Sequence, residues 1–255
     1  MRLPPTAAAA ARHSIDMWRL YVDAIPGASL EERDGAALVL TGIDTTGFNG
    51  VWLERGDVPA EVVDGLLDRA ASAAVLHSLH LPSGAAPALR EIPRRRGMVF
   101  DDEEPLMILE EDTALRRAAE VPGLAVDRLA PGEGADHARV AATAFEAPVA
   151  AFEAAATPAL LAVTEIGCYV GRVDGEAVTT AVGVTCRGAT GIVSVATLAA
   201  HRGRGYGAAV TARAALEGFA AGAGWVWLTS APKAVPMYAR LGFRAVDTIS
   251  IWGSE

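Results

Sequence analysis

Lysine is nearly missing from this 255-residue chain: Lys233 stands alone against 21 arginines, a bias that reads as coding preference rather than chemistry. Positive charge is scarce overall, with 22 basic residues against 31 acidic ones and a net charge of −9. That balance argues against nucleic acid as the main partner and favours cationic substrates. Cysteine is equally sparse. Cys168 and Cys186 both fall in apolar runs that read as strands, so reduced core residues are expected and neither a disulfide framework nor a metal site. No metal is expected. Long apolar runs are absent too. Ala7 to Ala11 are broken by Arg12 and His13, too short for a membrane span and without the h-region of a signal peptide, so a cytoplasmic protein is expected. What remains, 51 % hydrophobic and 21 % charged, describes a folded globular chain of one large or two small domains.

The densest signal is Leu198-Ala-Ala-His-Arg-Gly-Arg-Gly-Tyr-Gly207, a glycine-rich turn between an apolar strand and an alanine-rich helix. Glycines permit positive φ and close approach of a ligand to the backbone. The helix that follows offers unpaired N–H groups and its positive dipole end, which suits a phosphate or pyrophosphate. Gly203-x-Gly205-x-x-Ala208 fits the dinucleotide fingerprint, but that motif needs a βαβ unit with a carboxylate about 20 residues on. The next strand, Trp225-Val-Trp-Leu-Thr229, runs into Ser230-Ala-Pro-Lys233 without one, and too little chain follows for a doubly wound sheet. Walker A fails because no Gly-Lys-Ser/Thr follows.

The flanks settle the reading. Cys168–Val173 and Ala177–Val184 are β-branched-rich runs joined at Asp174-Gly175, a hairpin turn signal. A second turn at Arg187-Gly188-Ala189 leads to Ile192–Leu198 and on into the loop. Downstream, Ala209, Ala212, Leu216, Phe219 and Ala223 mark one face of a helix. A strand at Trp225, a short helix over Val235–Leu241 and an alternating strand over Thr248–Trp252 complete the order β-β-β, loop, α, β, α, β.

With those flanks, Arg202-x-x-Gly205-x-Gly207 resembles the acyl-coenzyme A loop of the GNAT superfamily of N-acyltransferases, and Tyr238-x-x-Leu241-Gly242-Phe243 resembles its closing motif. The resemblance spans roughly residues 122–255, the size of one domain. It implies an α/β (α+β) fold, a mixed and mostly antiparallel sheet flanked by helices. It also implies an enzyme that transfers an acyl group, acetyl above all, from acyl-coenzyme A directly to an amine of a small molecule or peptide. Arg202, Gly203, Arg204, Gly205, Tyr206, Gly207 and Ala208 would hold the pyrophosphate, and the edge of Val195-Ala196-Thr197 would pair with pantetheine. A backbone N–H of that strand would help stabilise the oxyanion. Tyr238 would protonate the leaving thiolate, a phenol of pKa about 10 facing a thiol of about 8.5. The plain alternative for Tyr238 is a core aromatic. The strand Ile192–Leu198 carries no Asp or Glu, so the base for the amine is unassigned; Glu146, Glu165 and His137 are read as solvated surface residues. The missing carboxylate keeps a second hypothesis open, a non-catalytic acyl-coenzyme A sensor or scaffold, and O-acylation is a third.

The first half reads as a helix over residues 12–24, strands at Ala36–Thr41 and Gly50–Leu53, and a helix at Pro59–Ser72. Strands at Val75–Leu81, Met98–Phe100 and Leu106–Leu109 follow, with a short helix around Pro87–Ile92. The order is GNAT-like without the loop. A tandem arrangement is therefore expected: a degenerate GNAT-like module over residues 1–120 and the acetyltransferase domain over 121–255. His77 and His80 are read as unrelated strand residues rather than metal ligands. Arg94, Arg95 and Arg96 are read as a solvated cluster balanced by Asp101–Glu104.

Overall fold

A computed structural model describes residues 6–110 and 114–254. In chain order the elements are α1 (Ala7–Ala24), β1 (Ser29–Arg33), β2 (Ala36–Leu40), β3 (Asn49–Leu53), α2 (Ala60–Ser72), β4 (Ser78–Pro82), α3 (Pro87–Arg90), α4 (Ile92–Arg96) and β5 (Val99–Leu109). There follow α5 (Leu115–Ala119), β6 (Ala125–Arg128), α6 (Ala135–Phe145), α7 (Val149–Ala154), α8 (Pro158–Leu161), β7 (Ile166–Val173), β8 (Glu176–Cys186) and β9 (Ala189–Thr197). The chain ends with α9 (Tyr206–Ala220), β10 (Val226–Thr229), α10 (Val235–Arg240) and β11 (Arg244–Gly253). The fold is mixed α/β with a largely antiparallel sheet flanked by helices, in which β3 runs parallel to β4 and β9 parallel to β10.

The chain forms two compact units that do not follow a single cut. The first takes the chain through Met107, Thr229–Lys233 and everything from Ala245 onward; the second takes Ile108–Leu228 and Ala234–Arg244. The partition therefore differs from the division expected at residues 120 and 121. The reason is β11. It pairs antiparallel with β4, from Ile249 opposite Pro82 to Gly253 opposite Ser78, so the last strand is built into the first unit.

In the first unit the strands run in the order β1-β2-β3-β4-β11-β5. The alanine run expected before the first helix is part of it: α1 opens at Ala7, where the Thr6 hydroxyl accepts the Ala9 N–H at 3.2 Å. β1 was not expected, because Ser-Leu-Glu-Glu-Arg carries one apolar residue; it is a charged edge strand joined to β2 through Asp34 and Gly35, both at positive φ. The core of this unit gathers Leu38, Val51, Leu66, Leu79, Leu89 and Ile92 between strands and α2. Asn49 is fully buried and every polar atom of its amide is used: Oδ1 accepts from the Thr41 amide at 2.8 Å and Nδ2 donates to Ile43 O at 2.6 Å and Leu76 O at 3.0 Å.

The basic cluster is balanced by a different partner from the one expected. Arg96 pairs with Asp64 at 2.7 Å and Asp68 at 2.9 Å on α2, while Asp101–Glu104 lie within the single long strand β5. The two histidines act separately. His77 Nδ1 lies 3.0 Å from Val75 O, whereas His80 stacks on Trp52 with ring centres 4.6 Å apart and meets the Ser78 hydroxyl at 2.9 Å.

The second unit orders its strands β10-β9-β8-β7-β6. Both turns of the meander are built from a residue pair at positive φ, Asp174-Gly175 and Arg187-Gly188, as type I′ hairpins require. Neighbouring Thr179 and Thr180 point to opposite faces of β8. Thr179 meets Thr197, which abuts α9, while Thr180 meets His137 of α6, so these two helices cover opposite faces of the sheet.

Candidate functional site

The site in the second unit begins with a defect in β9. Val193 faces Val182 and Ala196 faces Thr180, so β9 carries one residue more than β8 between those pairs. The extra residue is absorbed at Ser194, whose φ of 53° lies in the left-handed region. A residue with a Cβ adopts that conformation at a cost of about 1–2 kcal/mol. Pairing with β10 is confined to Thr190 opposite Val226 and Gly191 opposite Trp227, although β9 runs on to Thr197. Trp227 marks where the strands are joined: a Cβ at Gly191 would lie 2.9 Å from its ring. Beyond it, the side of β9 from Ile192 to Thr197 is an open strand edge. An open edge presents alternating N–H and C=O groups to an extended ligand.

The loop lies at the end of that edge. A short turn, Ala199–His201, is followed by Arg202, Gly203, Arg204 and Gly205, all exposed. Gly203 and Gly205 have φ of 77° and 84°, so both positions demand glycine on conformational grounds. Gly205 is the N-cap of α9, and the helical ladder starts with Ala209 N–H donating to Gly205 O at 2.9 Å. The amides of Tyr206, Gly207 and Ala208 precede that ladder, and no side chain caps them. This is the arrangement of a helix-terminus anion site.

Gly207 owes its small size to packing. A Cβ there would sit 3.3 Å from Thr197 Oγ1 and 3.6 Å from the Met237 sulfur. The first turn of α9, the end of β9 and helix α10 therefore converge at this residue. The Tyr206 ring is buried, 6.3 Å from that of His201. Arg202 turns back on the strand: its Nε donates to Thr197 O at 3.0 Å. Val195 and Thr197 are half-buried and Ala196 is buried. Tyr238 follows Met237 on α10 and is 5 % exposed, its ring 5.9 Å from Phe243. The loop, the Val195–Thr197 edge and the helix bearing Tyr238 are thus brought to one place within one unit.

Glu146, at the left-handed C-cap of α6, and Glu165 are both exposed, as expected. His137 departs from expectation, being only 2 % exposed. It lies 2.7 Å from the Thr180 hydroxyl, which donates its own proton to Tyr169 O at 2.8 Å. Nδ1 must therefore carry the hydrogen of the pair, and burial pushes the imidazole down to about 4. The signal was present: His137 shares a helical face with Val140 and Ala141, and Asp136 and Arg139 occupy the wet face. Two residues of the site were missed from sequence, Ser194 and Thr179, because neither a bulge nor a cross-strand hydroxyl contact has a local pattern.

Beside that helix, Phe145 is half exposed and stacks on Phe152 with ring centres 5.8 Å apart, and Val149 is similarly open. Among the described residues no group of three His, Cys, Asp or Glu is arranged to hold a metal ion. Nor is any helix among them long and apolar enough to cross a membrane.

Residues 164–245 match the family model described as an acetyltransferase (GNAT) domain. No curated protein matches the chain significantly. Among solved structures, a GCN5-related N-acetyltransferase from Kribbella flavida aligns over 97 % of this chain and 95 % of its own, with a TM-score of 0.70 at 23 % identity. A GCN5-related N-acetyltransferase from Sphaerobacter thermophilus aligns over 98 % and 94 %, with a TM-score of 0.59 at 16 % identity. A tandem GNAT protein from the clavulanic acid biosynthesis pathway covers 99 % of this chain and 97 % of its own, with a TM-score of 0.58 at 15 % identity. The chain thus has the fold of these proteins over nearly its whole length.

Proposed function

We propose that this chain, which carries a GNAT acetyltransferase domain over residues 164–245, is an N-acyltransferase that uses acetyl-coenzyme A and acylates an amine of a small molecule or peptide. The observation that carries this reading is the open edge of β9 ending at uncapped helix amides. Pantetheine is a short peptide mimic and pyrophosphate is an anion, so one ligand satisfies both features in sequence.

The residues fit that ligand. The amides of Tyr206, Gly207 and Ala208 would take the pyrophosphate, with Gly203 and Gly205 shaping the turn and Arg204 adding charge. Arg202 would act through the strand end it holds as well as through its charge. The Val195–Thr197 edge would pair with the pantetheine amides, and its outward N–H groups are preorganised donors for an oxyanion. When bound, acetyl-coenzyme A supplies a thioester open to direct attack by a neutral amine. Tyr238, held on the short helix beside Gly207, would give its proton to the departing thiolate. The exposed Phe145 and Val149, with Phe145 stacked on the buried Phe152, favour an acceptor that carries an apolar group. Use of acyl-coenzyme A and two cysteines not joined in a disulfide suit a cytoplasmic location.

The test is calorimetric titration of acetyl-coenzyme A into the native chain and into Gly205→Glu, followed by thiol release with a panel of amines for Tyr238→Phe. Binding is expected in the native protein and absent in Gly205→Glu. Tyr238→Phe should keep binding and lose on the order of 100-fold in turnover. Binding without turnover for any amine would favour a sensor, and no binding to the folded native chain would reject the reading.

A further inference from the structure

We propose that Thr179 is a positioning residue for acyl transfer on β9, an inference that rests on the transferase reading above. Thr179 is completely buried on β8. Its Oγ1 donates to Ala196 O at 2.8 Å and lies 2.8 Å from Thr197 Oγ1. A hydroxyl has one proton, and that of Thr179 is committed to the carbonyl; Thr197 is therefore the donor in the hydroxyl pair. One side chain thus fixes two consecutive residues of the strand edge.

The location gives this clamp its purpose. The bulge at Ser194 interrupts the regular ladder immediately before Val195, and a strand that carries a residue in the left-handed region can relax by slipping. Regular pairing resumes with Ala196 opposite Thr180 and runs on to Leu198, whose N–H donates to Val178 O at 3.0 Å. In an antiparallel ladder hydrogen-bonded and non-hydrogen-bonded pairs alternate, so Thr197, opposite Thr179, directs its own N–H and C=O away from β8. Arg202 Nε takes that carbonyl at 3.0 Å. The outward N–H of Thr197 is left on the open edge, and its direction depends on how the residue is held from β8. The ladder holds its two neighbours, and Thr179 is the side chain that holds Thr197 itself.

Thr180 supplies the control. It is equally buried and equally hydrogen-bonded, but its hydroxyl serves Tyr169 O and His137 and does not touch β9. Thr179→Val, Thr179→Ser and Thr180→Val are compared by steady-state kinetics, thermal melting, and amide hydrogen exchange of Val195–Leu198 without ligand. Thr179→Val should lose on the order of tenfold to a hundredfold in kcat, with faster exchange at those amides. Thr179→Ser should recover both, and Thr180→Val should melt earlier with kcat intact. Native-like kcat in Thr179→Val, or an equal loss of kcat in Thr180→Val, overturns the role while leaving the transferase reading standing. A native chain that binds no acetyl-coenzyme A removes both, whatever the exchange shows.

Discussion

His137 and His80 are both held neutral, and burial pushes each down to about 4. In an unfolded chain a histidine takes up its proton near pH 6.5. The folded state therefore binds fewer protons than the unfolded state between those limits. The stability each imidazole contributes is complete above about pH 6.5 and is lost as pH falls towards 4, up to about 3 kcal/mol apiece. Glu104 has the opposite sign. Burial holds its carboxyl above the usual range, so its contribution is present in acid and lost as pH rises through the folded value. Chemical denaturation at pH 7 and pH 5 should show the native chain markedly weaker in acid and His137→Gln with a shallower loss. Equal acid sensitivity in that variant would refute the assignment. At this scale the sequence was informative where conformation or periodicity leaves a mark. Gly203 and Gly205 were legible because turns with positive φ select glycine. The small residue at Gly207 was legible too, but its cause was not: the contacts with Thr197 and Met237 come from segments distant in sequence.

Elements were legible in proportion to how strongly they alternate. The meander of β7, β8 and β9 and the helix α9 stand close to their expected limits, because their apolar periods are clear and their turns are Asp-Gly and Arg-Gly. The sequence reads β5 as two strands, since Asp101–Glu104 and Pro105 interrupt its apolar ends; the structure runs one strand through them. The bulge at Ser194 left no trace in sequence, yet it separates an ordinary parallel ladder from an open edge. Deleting Ser194 tests that directly. Val193, Val195, Ala196 and Thr197 would then face Val182, Ala181, Thr180 and Thr179 in unbroken register, so every side chain would keep its face. The expected outcome is a folded protein that no longer binds acetyl-coenzyme A in calorimetry. A deletion variant that folds and binds as the native chain does would show that the bulge is irrelevant to the edge.

The whole molecule departs most from a linear reading, because chain order and compact units disagree. Sequence order suggests two successive modules; in the first half the elements β2, β3, α2, β4, α3–α4 and β5 follow one another without a glycine loop between β3 and α2. Its counterpart of the loop, residues 54–59, is closed: Gly56 O accepts the Ala86 N–H at 2.7 Å, and a Cβ on Gly56 would lie 2.3 Å from Gly84 O. That segment ties the ends of β3 and β4 together where the second unit leaves β9 open. The unit is also completed late, since β11 pairs with β4 and Trp252 packs against the core of Leu79, Val51 and Leu66. A fragment ending at residue 120 would therefore expose the backbone edge of β4 over Ser78–Pro82 and uncover apolar core, two features that promote aggregation. Produced alone it should be insoluble or fail to melt cooperatively; produced together with residues 121–255 it should yield a soluble complex. A soluble, cooperatively melting fragment 1–120 would show that β11 is dispensable and that the linear division is the physical one.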